Sequence, residues 1–256
     1  MKDTLPRKIV AEFIGTGFLV AAVVGSGIMG ERLAGGNVAI ALLANTIATG
    51  AALAALILTF GPISGAHMNP AVTIVDAIES GVPWSVAACY VPAQCVGGLC
   101  GAIAAHLMFG LPAISVSQHA RSGSAQVFSE FIATFGLLCV IWGCSRQRAG
   151  VVPFAVATYI TAAYWFTAST SFANPAVTIA RSLSDTFAGI RPVDVPLFVA
   201  AQLAGAIAAT LLFRWLLPNI NTKAKEILGP ANPLPNEPPD RTGSSQSSKC
   251  PIKAVV

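Results

Sequence analysis

The chain has 256 residues, of which 54% are hydrophobic and 10% charged, and its mean hydropathy is +0.69. Soluble domains carry about 25% charged residues, so this chain has too little polar surface to coat a particle in water, and a bilayer is its expected solvent. The net charge of +4 does not gather on one face. The cations sit mainly at the chain ends and between apolar runs, as topology signals do, which argues against nucleic-acid binding.

Crossing about 30 Å of hydrocarbon takes roughly 20 mostly apolar residues in a helix. Six stretches meet that requirement: 9–29, 38–60, 83–109, 127–145, 151–170 and 195–217. The first contains Glu12 and lacks a convincing cleavage site, so it is expected to remain rather than be removed as a signal peptide. Two further apolar pieces, 69–79 and 174–184, are too short to cross. From Pro218 onward the chain turns Pro- and Ser-rich, as in "GPANPLPNEPPDRTGSSQSS". Such a composition buries too little apolar area to offset its ordering entropy. The division expected is therefore a membrane domain over 1–217 and a disordered tail over 218–256.

Charge sets the expected orientation. With the N-terminus inside, the inner segments hold Lys2, Arg7, Lys8, Arg146, Arg148, Arg214, Lys223, Lys225, Arg241, Lys249 and Lys253, and the outer ones hold Arg32, Arg121, Arg181 and Arg191. Eleven against four favours both termini on the cytoplasmic side, although the long tail enlarges the margin. The six cysteines show no metal-ligand pairing and five lie in apolar segments, where Cys acts as a small hydrophobe. No metal and no cofactor are expected.

The chain repeats itself. "HMNPAVTIVD" at 67–76 returns as "FANPAVTIAR" at 172–181, so Asn-Pro-Ala-Val-Thr-Ile recurs 105 positions apart (174 − 69). "AEFIGTGFLVAAV" (11–23) resembles "SEFIATFGLLCVI" (129–141), and "PAQCVGGLCGAIAA" (92–105) resembles "VAAQLAGAIAA" (199–209). Each half, about 8–110 and 125–217, thus carries a Glu, an NPAVTI and a Gln in that order. Three spans per half place the halves in opposite orientations, and in such inverted repeats the solute pathway lies at the repeat interface.

Pro is favoured at the first helical position and Asn is a good N-cap, so helices are expected to start at Asn69 and Asn174. Two short helices entering from opposite faces would meet N-terminus to N-terminus at the centre, each contributing about half a positive charge. That arrangement suits a polar solute with lone pairs and repels cations. A single NPA triplet would read as a helix start in a buried core; two in inverted halves point to a pore.

On these motifs, "SGAHMNPAVT" (64–73), the second "NPAVT" (174–178) and the duplicated Glu and Gln, the chain resembles the major intrinsic protein family, the aquaporins and aquaglyceroporins, over about residues 8–217. The resemblance implies an all-α membrane protein, a right-handed bundle of six transmembrane helices plus two half-helices. It also implies a homotetramer with one pore per subunit that passively conducts small neutral solutes. Its pore motifs would be Asn69, Pro70, Ala71, Asn174, Pro175 and Ala176. Family members usually carry Arg three residues after the second Asn, where this chain has Val177. Counting along the family pattern, the remaining selectivity-filter positions fall on Thr49, Ala162 and Ser171, a set without aromatic, His or Arg.

Such a filter would be wide, mildly polar on one wall and apolar on another. It would admit glycerol-like polyols, neutral metalloid hydroxides such as arsenous acid, and methylated arsenicals as well as water. The bacterial aquaglyceroporins associated with arsenic resistance are the subgroup most resembled, which implies a bacterial inner (plasma) membrane. Asp76 and Arg181 are repeat counterparts, each seven residues after its Asn, and are expected at opposite mouths, with Arg181 beyond the constriction as an interfacial anchor. Glu12, Glu130, Gln94 and Gln202 are expected to support the two loops, and His67 either supports its loop or touches the pore wall. His106 and His119 show no visible partner in the sequence. No nucleophile–base set or phosphate loop suggests an enzyme. The alternatives are a water- or gas-selective channel, if bulky neighbours close the filter, and a transporter using Glu12 or Glu130 as a proton carrier.

Overall fold

The computed structural model describes residues 4–217, and the tail expected over 218–256 lies outside the described residues. Six helices are long and apolar enough to cross a membrane. They are α1 (Leu5–Leu33), α2 (Val38–Ser64), α4 (Trp84–Met108), α5 (Ser124–Gln147), α6 (Val152–Phe166) and α8 (Val195–Leu216). Two short helices, α3 (Pro70–Ile78) and α7 (Pro175–Arg181), stand where the half-length pieces were expected. Among the described residues there is no strand.

Local chemistry explains several boundaries. Pro6 sits in the first turn of α1, and Asn37 caps α2 by accepting from the Ala39 and Ile40 amides at 3.0 and 3.3 Å. The sequence places the end of the fifth span near residue 170, but α6 stops at Phe166. Thr167 is extended, and Thr170 and Ser171 take positive φ of 61° and 51°, a backbone that cannot continue a right-handed helix.

The two halves pack alike. Helix α1 lies along α2 and α4, and in the second half α5 lies along α6 and α8. Helix α3 rests on α4 of its own half and on α8 of the other; α7 rests on α8 and on α4. The half-helices are therefore clamped between the halves. The closest approaches correspond too: a Cβ at Gly97 would strike the Phe13 carbonyl, and one at Gly205 would strike the Phe131 carbonyl. Small residues at such crossings let backbones touch, which is how helices associate without a hydrophobic drive between them.

The core is aliphatic, built around Leu19, Val20, Val24, Leu137, Leu138 and Ile160. Large apolar side chains also face outward, among them Phe18, Leu107, Phe128, Leu211 and Trp215, as expected of surfaces in contact with lipid tails. Glu79 at the end of α3 pairs with Arg214 on α8 at 2.5 Å, fixing the far end of that short helix.

Candidate functional site

The two NPA helices begin as their sequences dictate. Asn69 Oδ1 accepts from the Ala71 amide at 2.9 Å, and Asn174 Oδ1 accepts from Ala176 and Val177 at 3.0 and 3.3 Å. Each amide nitrogen then reaches into the opposite half. Asn69 Nδ2 donates to the Ala173 carbonyl at 2.8 Å, and Asn174 Nδ2 donates to the Met68 carbonyl at 2.7 Å. The helix starts abut, each stapled to the loop that precedes the other. An amide nitrogen carries two N–H groups, so one on each Asn remains available beyond this cross-link.

The loops before each Asn are strained in the same places. Ala66, Met68, Ser171 and Ala173 adopt φ of 49°, 46°, 51° and 48°, and left-handed non-glycine residues cost about 1–3 kcal/mol each. Buried carboxylates hold them. Glu12 accepts from the His67 and Met68 amides at 2.9 and 2.6 Å, from Ser64 Oγ at 2.6 Å and from Gln94 at 2.7 Å. Glu130 accepts from Phe172 and Ala173, both at 2.9 Å, and from Gln202 at 2.6 Å. Both glutamates are fully buried and neither lines the cavity described next. Gln94 and Gln202 each also donate to a half-helix threonine, Thr73 at 2.9 Å and Thr178 at 2.8 Å. The sequence reading passed over these threonines, although both lie inside the repeated hexapeptide.

A cavity of about 360 Å³ runs between the halves and past both Asn side chains. Its wall is mostly aliphatic, with Leu19, Val23, Leu53, Leu137, Val156 and Ile160. Toward one end lie Thr49, Ser171 and Val177, three of the four residues read as the filter.

The fourth, Ala162, needs correction: it is exposed and absent from the cavity wall. The buried face of α6 carries Val156, Ile160, Ala163 and Tyr164, and Ala162 falls on the far side of that 3.6-residue period. Tyr164 takes the place assigned to it, lining the cavity with its hydroxyl donating to Thr49 Oγ1 at 3.3 Å. The cavity wall beside Thr49 therefore carries an aromatic side chain.

Arg181 also departs from expectation. Rather than standing at an exposed mouth, it is 2% exposed and lines the same cavity. Its Nε donates to the Ala188 carbonyl and its guanidinium lies 3.4 Å from the Phe172 ring centre. Asp76 is likewise buried and lines the cavity, toward the other end, with His67 Nε2 3.6 Å from its carboxylate. His67 lines the cavity too, and its Nδ1 is 3.1 Å from Thr73 Oγ1, so it combines wall and loop contacts.

Two further residues matter that sequence alone left without a role. His106 is fully buried, with Nδ1 at 3.0 Å from the Pro112 carbonyl and Nε2 at 2.8 Å from Ser184 Oγ, and joins α4 to two loops. Arg121 is buried in the loop between α4 and α5, where its guanidinium donates to the Gly189 and Ser169 carbonyls at 2.8 and 3.0 Å. Burial brings its pKa down to about 10, so it stays positive at neutral pH. Burial and then the Arg121 and Arg181 charges lower the pKa of His119. No group of three or more His, Cys, Asp or Glu placed to hold a metal occurs among the described residues.

Comparison with known proteins bears on the family and the fold. The model of the family described as "Major intrinsic protein" matches residues 2–160 and 145–234. The chain is 55% identical over 213 residues to the aquaglyceroporin AqpS of Rhizobium meliloti (strain 1021), covering 83% of this chain and 91% of that one. It is 30% identical over 237 residues to the probable aquaporin NIP7-1 of Arabidopsis thaliana, covering 90% of this chain and 83% of that protein. Its fold matches the X-ray structure of the aquaglyceroporin from Plasmodium falciparum with a TM-score of 0.66 at 19% identity, over 85% of this chain and 99% of that one. With paired half-helices, a lumen between inverted halves and these relatives, the chain belongs to the major intrinsic protein family, a multi-pass membrane channel of the aquaglyceroporin kind and not an enzyme.

Proposed function

We propose that this channel conducts glycerol-like polyols and neutral metalloid hydroxides such as arsenous acid, together with methylated arsenicals and water. The observation that carries the reading is Val177 on the cavity wall, three residues after Asn174. An isopropyl group there offers no donor and no charge, while the same cavity also carries hydroxyl groups. Thr49, Tyr164 and Ser171 supply those hydroxyls. A solute with carbon or methyl on one side and hydroxyls on the other meets a matching surface on each. Polyols and methylated metalloid acids have that character.

The channel works as a homotetramer in the plasma membrane, with Ser171 and Val177 toward the outside and Asp76 toward the cytoplasm. The eleven-to-four distribution of cations supports that orientation. The test is a stopped-flow panel of water, glycerol, arsenite and methylated arsenicals in proteoliposomes, comparing wild type with Val177→Arg. The substitution is expected to cut passage of the large solutes while sparing water more. Equal uptake of both classes by both proteins would refute the filter assignment.

Tyr164 favours a second reading, a narrower and more water-selective channel, because its ring takes the place read as Ala162. Tyr164→Ala separates the two. Under the second reading it opens a channel that otherwise rejects glycerol; under the first, wild type already passes glycerol.

A further inference from the structure

We infer that Arg181 is a specificity-determining residue, supplying from one turn farther along α7 the cationic donor that Val177 does not provide. The inference rests on the channel reading above. Positions 177 and 181 share a helix face, and helical side chains lean toward the N-terminus, over the turn that precedes them. One turn rises about 5.4 Å, within the reach of an extended arginine. The guanidinium accordingly comes back to the ring of Phe172, itself a cavity residue two positions before Asn174.

What the group bonds to is as telling as where it sits. Nε is held by the Ala188 carbonyl, whereas Nη1 is buried and has no hydrogen-bond partner. Ser171 Oγ, on the same stretch of wall, is also buried without a partner. Among the described residues Arg181 forms no ion pair. Arg121, whose guanidinium lies 4.9 Å from the Phe172 ring centre, differs: carbonyls hold its Nε and Nη1, and it does not line the cavity.

The orphan N–H of Arg181 and the orphan hydroxyl of Ser171 suit one class of ligand, an uncharged solute bearing hydroxyl or oxo oxygens. The same positive charge repels cations from the constriction, as a fixed arginine does in a pore. The channel has moved its cation along the helix and left the Val177 position free to be apolar.

Purified wild type, R181M, R181K and the double variant V177R/R181M in proteoliposomes decide the matter, with water and glycerol read by light scattering and sodium and proton leak by entrapped dyes. R181M is expected to raise cation leak, normalised to its own water flux, about tenfold or more, equivalent to about 1.4 kcal/mol. Glycerol should lose ground against a diol of similar size with fewer hydroxyls. V177R/R181M should restore the cation barrier, since the charge returns to the same ring. R181M with intact water flux, wild-type leak and unchanged solute preference would overturn the proposal. Should R181M not assemble, R181K decides: a kept cation barrier with altered polyol uptake supports the role, and neither property changing defeats it. A wild-type protein that passes water but no glycerol would defeat the polyol reading and leave the cation-leak comparison standing.

Discussion

Glu12 and Glu130 show how a buried carboxylate acts as a fastener. Each sits on a spanning helix yet spends its oxygens on backbone amides of a left-handed loop and on a glutamine from another helix. Both oxygens of each carboxylate accept from fixed donors, which suits an anchor better than a proton carrier. Replacing Glu130 by Gln turns one oxygen into a donor facing another donor. The expected loss is about 1–3 kcal/mol, seen as a lower unfolding temperature in detergent with water flux per folded channel retained. Glu12→Gln should cost more, because Glu12 accepts from four groups and Glu130 from three. Equal stability of both variants to wild type would show that the loops hold themselves.

Helix pairs set the frame in which those residues work. Gly97 against Phe13 and Gly205 against Phe131 are the same contact made twice, and each crossing adjoins the glutamate of its half. Gly205→Val is therefore expected to push α8 from α5, pulling Gln202 away from Glu130 and Thr178. Overpacking of this kind costs about 1–3 kcal/mol or more. The readout is a fall in folded yield together with reduced glycerol flux per channel. Asn37→Ala, which removes only the α2 cap, should cost about 1 kcal/mol and leave flux unchanged. A Gly205→Val channel with normal yield and normal flux would mean the crossing can spread without disturbing the lumen.

As a whole, the molecule is two like halves closing on a lumen, with Asp76 toward one end and Arg181 toward the other. Neither buried glutamate lines the lumen; both spend their oxygens on the loops that form its wall, so transport should be purely equilibrative. Glycerol uptake into proteoliposomes is expected to level off at equal concentrations inside and out, with or without an imposed proton gradient. Accumulation above the outside concentration under that gradient would contradict a passive channel.

Six spans, two half-spans and the family were all legible in the sequence. A twenty-residue apolar run and a doubled NPAVTI hexapeptide carry their meaning locally, because bilayer thickness and helix capping leave few other outcomes. Thr49, Ser171 and Val177, picked by counting from the motifs, all line the cavity. The tertiary structure decided what depended on rotation about a helix axis or on the path of a long side chain. Ala162 and Tyr164 are two residues apart on α6, and only the packing of that helix shows which one faces the cavity. Arg181 looked like a mouth residue by counting along the helix, but its side chain is buried with its guanidinium against the Phe172 ring. His106 and Arg121 found their partners on loops distant in sequence. The sequence by itself determined that there would be a channel and where its halves meet; which groups line the cavity was decided by helix rotation and side-chain reach, which linear spacing does not encode.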